Sequence, residues 1–260
     1  MRGAFVIAGK DLRGFFMSPL FYVIAGICSF LWLILFAVAV GEFSHQSQLQ
    51  LYQAQMSGQA DQGLSMHFYL ILNHFRVVNL VMILAVAAIT MRLFTEEKTN
   101  RTFDLLLTSP VTATDIALGK LIAGVATAWA LILISCLYPL SLEFFASIEW
   151  GPFVSSVIGM MLLTAGYVSI GMFTSSITRS PLVAVIMALI LNIGLWFVGA
   201  IAEAVSDPSE KAVFDHLNVG THLQNFINGN FSIAGVVFFL SLVFLFTFLT
   251  QRSVESTRWR

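Results

Sequence analysis

Between Pro19 and Val40 the chain reads PLFYVIAGICSFLWLILFAVAV, a run without one charged residue. A helix needs roughly 20 such residues to cross about 30 Å of hydrocarbon, and this run is long enough. Nearly as apolar runs recur at about residues 74–93, 116–141, 152–176, 182–202 and 232–250. This recurrence outweighs every other constraint, because a backbone in lipid must satisfy its own hydrogen bonds and is left with helices or closed barrels. Barrel strands are ~10-residue segments alternating apolar and polar side chains, and that alternation is absent. Only 10% of the 260 residues are charged, against about 25% in soluble domains. The expected fold is therefore an all-α integral membrane protein of six spans, one domain over residues 1–260.

Basic residues give the spans a direction. Of the 13 lysines and arginines, all but Arg76 and Lys211 fall on one side when both termini are placed together. They are Arg2, Lys10, Arg13, Arg92, Lys98, Arg101, Lys120, Arg179, Arg252, Arg258 and Arg260. Basic loops stay in the cytoplasm, so both termini are expected there. Ala37-Val38-Ala39 has the form of a signal-peptide cleavage site. The apolar region before it exceeds the usual 7–15 residues of about that kind of segment, so the first span is read as an uncleaved anchor. In residues 3–17, Ala4, Ala8, Leu12, Phe5, Phe15 and Phe16 fall within about a 120° arc at helical spacing, although Val6 and Ile7 intrude on the polar face. This stretch is either a helix in the inner interface or a charged tail that only sets topology.

Several chemistries lack their residues. A net charge of −1 gives nucleic acid nothing to hold. Cys28 and Cys136 both lie inside spans, where thiols pack as small apolar groups. Gly119-Lys120 is followed by Leu121, so the chain has no phosphate loop and no ATP site of that kind. His45, His67, His74, His216 and His222 show no zinc spacing, and no metal site is expected. Ser169 lies in a span without a histidine or lysine at its depth to activate it, which argues against an intramembrane hydrolase. The span interiors also lack the acidic or lysine relays of ion-coupled carriers, so energy for uphill movement must come from outside the bilayer. One polar row remains: Asn73, Arg76 and Asn79 recur every three residues on one face of the second span. Either Arg76 snorkels to the outer headgroups, or the row lines a cavity or meets a partner.

The stretch EEKTNRTFDLLLTSPVTATD, Glu96 to Asp115, interrupts this pattern. Burying Glu96, Glu97, Lys98, Arg101 and Asp104 in hydrocarbon would cost on the order of 12 kcal/mol at ~2.5 each, so the segment lies outside it. Phe103, Leu106 and Leu107 form an i, i+3, i+4 apolar stripe. Pro110 disfavours helical geometry at Ser109, and Thr112 with Asp115 reads as the cap of the next helix. The result is a short amphipathic helix with a firm stop. It rests either on headgroups or in the grip of another protein.

The order Glu96-Glu97-Lys98, Thr102, Asp104, Leu106-Leu107, Pro110-Val111 and Gly119-Lys120 resembles ABC-2 type permeases, in which E-E-K-x-x-G-T-[IL]-E-x-L-L-x-x-P-[VL] stands between spans 2 and 3. KDLRGFFMSPLFYV is similar to the start of the gliding-motility-type permease subfamily. FDHLNVGTHLQNFINGNFS is similar to that subfamily's outer segment before the last span. Four positions depart from the pattern: Arg101 replaces the motif glycine, Phe103 a smaller aliphatic residue, Asp104 a glutamate, and Leu223 the usual Phe after His222.

The resemblance implies an ABC-2, type V exporter-like permease fold. Its parts would be an N-terminal interfacial helix, a cytoplasmic coupling helix between spans 2 and 3, and re-entrant outer helices between spans 5 and 6. It implies a non-enzymatic permease subunit in the bacterial cytoplasmic (inner) membrane, paired with a second copy, a homodimer being expected, with spans 1 and 5 meeting across the dimer axis. ATP and Mg would be held by a separate cytoplasmic ATPase dimer, with no cofactor on this chain. A membrane-anchored partner with a large extracytoplasmic domain is a further implication of the subfamily. Carried over residue by residue, ATPase coupling falls to Glu96, Glu97, Arg101, Thr102, Phe103, Asp104, Leu106, Leu107 and Pro110. The outer re-entrant segment is marked by Phe214, His222, Phe226 and Gly229. Arg101, bulky and charged at a contact position, points to a matched ATPase. The work done is either export of a lipid, polysaccharide or hydrophobic compound, or mechanical action on the outer partner. Outside this class stands a non-transporting scaffold or channel subunit.

Overall fold

A computed structural model describes residues 2–57, 67–108, 111–145, 147–204 and 207–258. Every regular element among them is helical, and six helices are long and apolar enough to cross a membrane. The order is α1 (Arg2–Met17), α2 (Pro19–Ser57), α3 (Leu72–Thr90), α4 (Arg92–Thr99), α5 (Phe103–Thr108), α6 (Ala113–Leu140), α7 (Trp150–Ile177), α8 (Pro181–Ala204), α9 (Pro208–Leu217), α10 (Val219–Ile227) and α11 (Ile233–Arg258). A π-helical turn, His67–Ile71, leads into α3.

α7 is the central post, packed on α3, α6, α8, α10 and α11. Small residues let the neighbours come close, as expected where apolar burial gives helices no preference for each other over lipid. A Cβ on Gly171 would stand 2.0 Å from Thr90 Oγ1, and one on Gly124 2.9 Å from Val168 Cγ1. In α2, α8 and α11, by contrast, only about a fifth of the apolar window is buried by the rest of the chain. Their outer faces, with Phe30, Ile190 and Phe244 exposed, are left for lipid or a second protein.

Two elements differ from expectation. α2 runs 39 residues without a break, about 58 Å at 1.5 Å per residue, so it continues some way past the hydrocarbon it must cross. Residues 42–57 lie beyond the apolar run that ends at Val40, but they contain no Gly or Pro and are rich in the helix formers Gln, Leu, Ala and Met. α1 is a helix, as expected, but turned on its axis: Ala4, Ile7 and Ala8 are buried while Phe5 and Val6 are exposed. The contact that turns it is with α6, where a Cβ on Gly119 would meet Ala4 O at 2.7 Å.

α1, α4 and α5, the residues 178–180 between α7 and α8, and the end of α11 gather at one end of the bundle. Arg258 there donates to Val111 O at 3.1 Å, and Ser253 to Ser176 O at 3.3 Å. α9 and α10 occupy the opposite end. α10 is strongly amphipathic, with Val219, His222, Leu223, Phe226 and Ile227 buried at i, i+3, i+4, i+7 and i+8. Asn218 caps its start, accepting from the N–H groups of Gly220 and Thr221.

Candidate functional site

α4 prolongs α3 with only Met91, itself in the right-handed helical region, between them. It is stitched to the end of α7. Ser175 Oγ accepts from the N–H of Phe94 at 3.0 Å and of Thr95 at 3.3 Å, and donates to Met91 O at 2.9 Å. Lys98 donates to Ser176 O, and to Thr178 O at 3.2 Å. It thereby satisfies carbonyls that the end of a helix leaves open, with a positive charge at the negative pole.

The turn that ends α4 explains Arg101. Thr102 N–H bonds to Glu97 O at 2.9 Å and Arg101 N–H to Lys98 O at 3.4 Å. This is the paired pattern of a Schellman cap, whose middle residue is left-handed and usually glycine. Arg101 takes that place at φ 57°, the one non-glycine with positive φ among the described residues. The position was expected to matter as a side-chain contact; its backbone is the stronger constraint. The exposed side chain is unpaired among the described residues.

From this turn the chain enters α5, which is pegged down by its apolar stripe. Phe103 is 5% exposed, edge-on to Phe94 at 6.0 Å and 5.6 Å from Lys98 Nζ. Leu106 packs half-buried against the core. Phe103 and Leu106 therefore hold α5 to its own chain. The opposite side carries Asp104, Leu105 and Thr108, all exposed, with Leu105 at 72%, and Thr102 and Arg101 are exposed beside it. Leu105 was not singled out from the sequence, because it lies off the stripe of Phe103, Leu106 and Leu107. The side chain of Leu107 and the whole of Pro110 lie outside the described residues. Thr112 caps α6 as expected, accepting from Asp115 N–H at 3.1 Å.

The two glutamates part company. Glu96, half-exposed, takes a two-pronged contact from Arg92 one turn earlier, at 3.0 and 2.9 Å, and Arg92 also donates to Ser18 Oγ at 2.8 Å, at the α1–α2 junction. Glu97 turns inward, its side chain 13% exposed, and pairs with Lys120 at 2.9 Å and Lys10 at 3.0 Å. Lys120 is 1% exposed, pairs with Asp11 at 3.1 Å, donates to Leu93 O and stands 5.0 Å from the centre of the Phe94 ring. A buried lysine is tolerable only with such full pairing. Two lysines and two carboxylates thus join α1, α4 and α6 into one body, and the Glu97 carboxylate is engaged inside the chain. Burial works against the Lys10 charge, but the hydrogen bond and charge of Glu97 and the charge of Asp11 outweigh it, so its pKa stands above the ordinary lysine value. Gly119-Lys120 gains a reason here: the glycine lets α1 approach and the lysine reaches its aspartate.

At the other end, Phe226 is the plug of the segment between α8 and α11. It is fully buried, lying where a Cβ on Gly159 would meet its Cβ at 2.5 Å and one on Gly235 would meet its ring at 2.8 Å. His222 stacks on Phe238 at 4.7 Å and contacts His216 O at 3.0 Å. Leu223, in place of the usual Phe, is buried. Gly229, at φ 81°, ends α10, and Phe214 lies half-buried in α9.

Beside α10, between α3 and α8, is a cavity of about 960 Å³. Arg76 and Asn79 line it, whereas Asn73 is exposed and outside it. Arg76 donates to Gln224 Oε1 at 3.2 Å. At the floor Trp196 Nε1 donates to Tyr167 Oη at 2.5 Å, which donates to Asn79 Oδ1 at 3.0 Å, linking α8, α7 and α3. Tyr167 and Trp196 were not singled out from the sequence. Among the described residues, no cluster of His, Cys, Asp or Glu fits a metal ion.

The family model described as "ABC-2 family transporter protein" matches residues 5–229, from the middle of the first turns of α1 to the glycine that ends α10. No curated protein matches the chain.

Proposed function

The chain belongs to the ABC-2 family of transporter membrane proteins, and from that premise we propose that it is a permease subunit carrying force from a separate cytoplasmic ATPase into the bilayer. Association with an ABC ATPase is what the family implies. The observation that carries the reading is the state of α5: pegged to its own chain by Phe103 and Leu106, with Asp104, Leu105 and Thr108 left open. A connecting loop needs no such outward face on so firm a base. The gathering of basic residues at this end supports its placement in the cytoplasm. The contact set is then Arg101, Asp104, Leu105 and Thr108, with Glu96 at its edge, while Glu97 and Phe103 set its position. ATP and Mg belong to the partner.

The uncovered apolar faces of α2 and α8 support pairing with a second copy. The polar end of α2, exposed on every turn after Gly41, is the surface a partner with an extracytoplasmic domain would use, as in the gliding-motility-type subfamily. In a complex reconstituted with its ATPase, Leu105→Glu is expected to lower the stimulation of ATP hydrolysis by about tenfold, the loss of one interface hot spot, with the fold intact. Unchanged stimulation would overturn the assignment of α5.

A further inference from the structure

Charge and apolarity are sorted along the cavity between α3, α8 and α10, and we infer that it binds one anionic amphiphile, headgroup on Arg76 and tail against Leu84, Ile83 and Ile193. Its volume, about 960 Å³, lies within the range of roughly 300–1,000 Å³ for small-molecule sites. Among the described residues no Asp or Glu lines it, and Arg76 has no carboxylate partner. Of the five N–H donors on a guanidinium, one is given to the neutral amide of Gln224. The start of α10 adds no second anion site, because the Gly220 and Thr221 N–H groups are already taken by Asn218. The unspent positive charge is that of Arg76.

Deeper in, the wall changes character. From Arg76 to Leu84, α3 advances eight residues, about 12 Å. Past Asn79 it presents Leu80, Ile83 and Leu84, facing Ile193 and Trp196 of α8. The Trp196 N–H is turned away to Tyr167, so the indole contributes an apolar surface. A tailless anion would leave this wall uncovered, and a neutral amphiphile would leave Arg76 unpaired. The polar end lies at the α9–α10 end of the bundle and the apolar end toward mid-span, the gradient of a single lipid leaflet. On the orientation proposed above, that leaflet is the outer one.

The test is native mass spectrometry of the intact assembly, extracted in detergent and offered phosphatidylglycerol or phosphatidylcholine of the same chains. Phosphatidylglycerol is expected to be retained about tenfold better, the worth of one charge-assisted contact. That preference should vanish in Arg76→Gln and persist in Arg76→Lys. Leu84→Trp, which fills the apolar end, should lower retention of both lipids and leave the preference. Equal retention of the two lipids by the native protein, or a preference surviving Arg76→Gln, would overturn the proposal. So would displacement by glycerol 3-phosphate at equal concentration, since the tail would then contribute nothing. No ATPase takes part, so failure here leaves the reading of α5 standing.

Discussion

Two helices of this chain end in the same turn, and only one of them has the residue the turn asks for. After α10, Asn228 (φ −75°, ψ 3°) leads into Gly229 at φ 81°. After α4, Asn100 (φ −79°, ψ 0°) leads into Arg101 at φ 57°. Holding an L-residue left-handed costs roughly 1–2 kcal/mol, whereas a glycine there gives up about 0.5–1 kcal/mol of unfolded-chain entropy. Arg101→Gly should therefore stabilise the turn by about 0.5–1 kcal/mol, with nothing lost on the folded side because the Arg101 side chain is exposed and unpaired among the described residues. The reporter is the Thr102 amide, bonded to Glu97 O at 2.9 Å, which exchanges with solvent only when the turn opens. One kcal/mol is about a fivefold change in that opening, so exchange in Arg101→Gly should slow by up to about fivefold. Arg101→Ala, which keeps the Cβ and discards the guanidinium, should leave the rate unchanged. If alanine protects Thr102 as well as glycine does, the side chain is responsible and the backbone argument fails. The same pair separates the two roles of the position. If Arg101 also touches the ATPase, both variants lose coupling alike, although only glycine firms the turn.

Three other substitutions test the framework. Lys120→Met leaves Glu97 and Asp11 with only the exposed Lys10 as counter-charge and should cost up to about 3–5 kcal/mol, seen as a lower unfolding midpoint in mixed micelles and partly restored by adding Asp11→Asn. Tyr167→Phe strands the Trp196 N–H and the Asn79 carbonyl at the cavity floor. It should cost about 1–2 kcal/mol by the same measurement, and no loss would show that water replaces the hydroxyl. Gly159→Ala puts a Cβ 2.5 Å from Phe226 Cβ and should lift α10 at a cost of roughly 1–3 kcal/mol, read as faster amide exchange across Leu223–Ile227 with α3 unaffected.

The spans were legible because hydrocarbon imposes one rule on every residue within it, and runs such as Pro19–Val40 obey that rule without help from the rest of the chain. The stripe on α5 was legible as apolar for the same local reason. What a stripe cannot reveal is its cover. Phe103 and Leu106 satisfy one periodicity whether they face a partner or Phe94, and only the fold brings Phe94 beneath them. Glu97 and Lys120 are 23 residues apart and Asp11 is 109 from Lys120, so no spacing rule joins them. Their pairing needed Gly119, whose missing side chain admits α1, and a glycine in a span gives no sign of which helix crosses it. Arg101 was noticed for its charge, while the departure from glycine was itself the sign of a left-handed turn. The polar end of α2 misled because a Gln-rich stretch is soluble as loop or helix, and only its lack of Gly and Pro favoured the helix.

The clamps at one end and the cavity at the other belong to the same helix. α3 carries Arg76 near its start and passes through Met91 into α4, so about 21 residues, roughly 31 Å of nearly continuous helix, separate Arg76 from Glu97. At α4 that rod is fixed to α6 and α1 through Lys120 and to α7 through Ser175 and Lys98. Under the proposed function, a push on α5 therefore arrives as motion of α3, α6, α7 and α1 together. α8 stands across the cavity from α3, and its polar tie to that body is Trp196 to Tyr167 to Asn79, fully buried at Tyr167. At the mouth, Arg76 of α3 makes an exposed bond to Gln224 of α10. Buried polar contacts in a low dielectric are stronger than exposed ones, so motion of α3 relative to α8 and α10 opens the Arg76–Gln224 contact before it disturbs the floor. The site of anion contact is then also the site of first movement, and a ligand held on Arg76 would resist or favour that opening according to which state offers it the fuller set of donors.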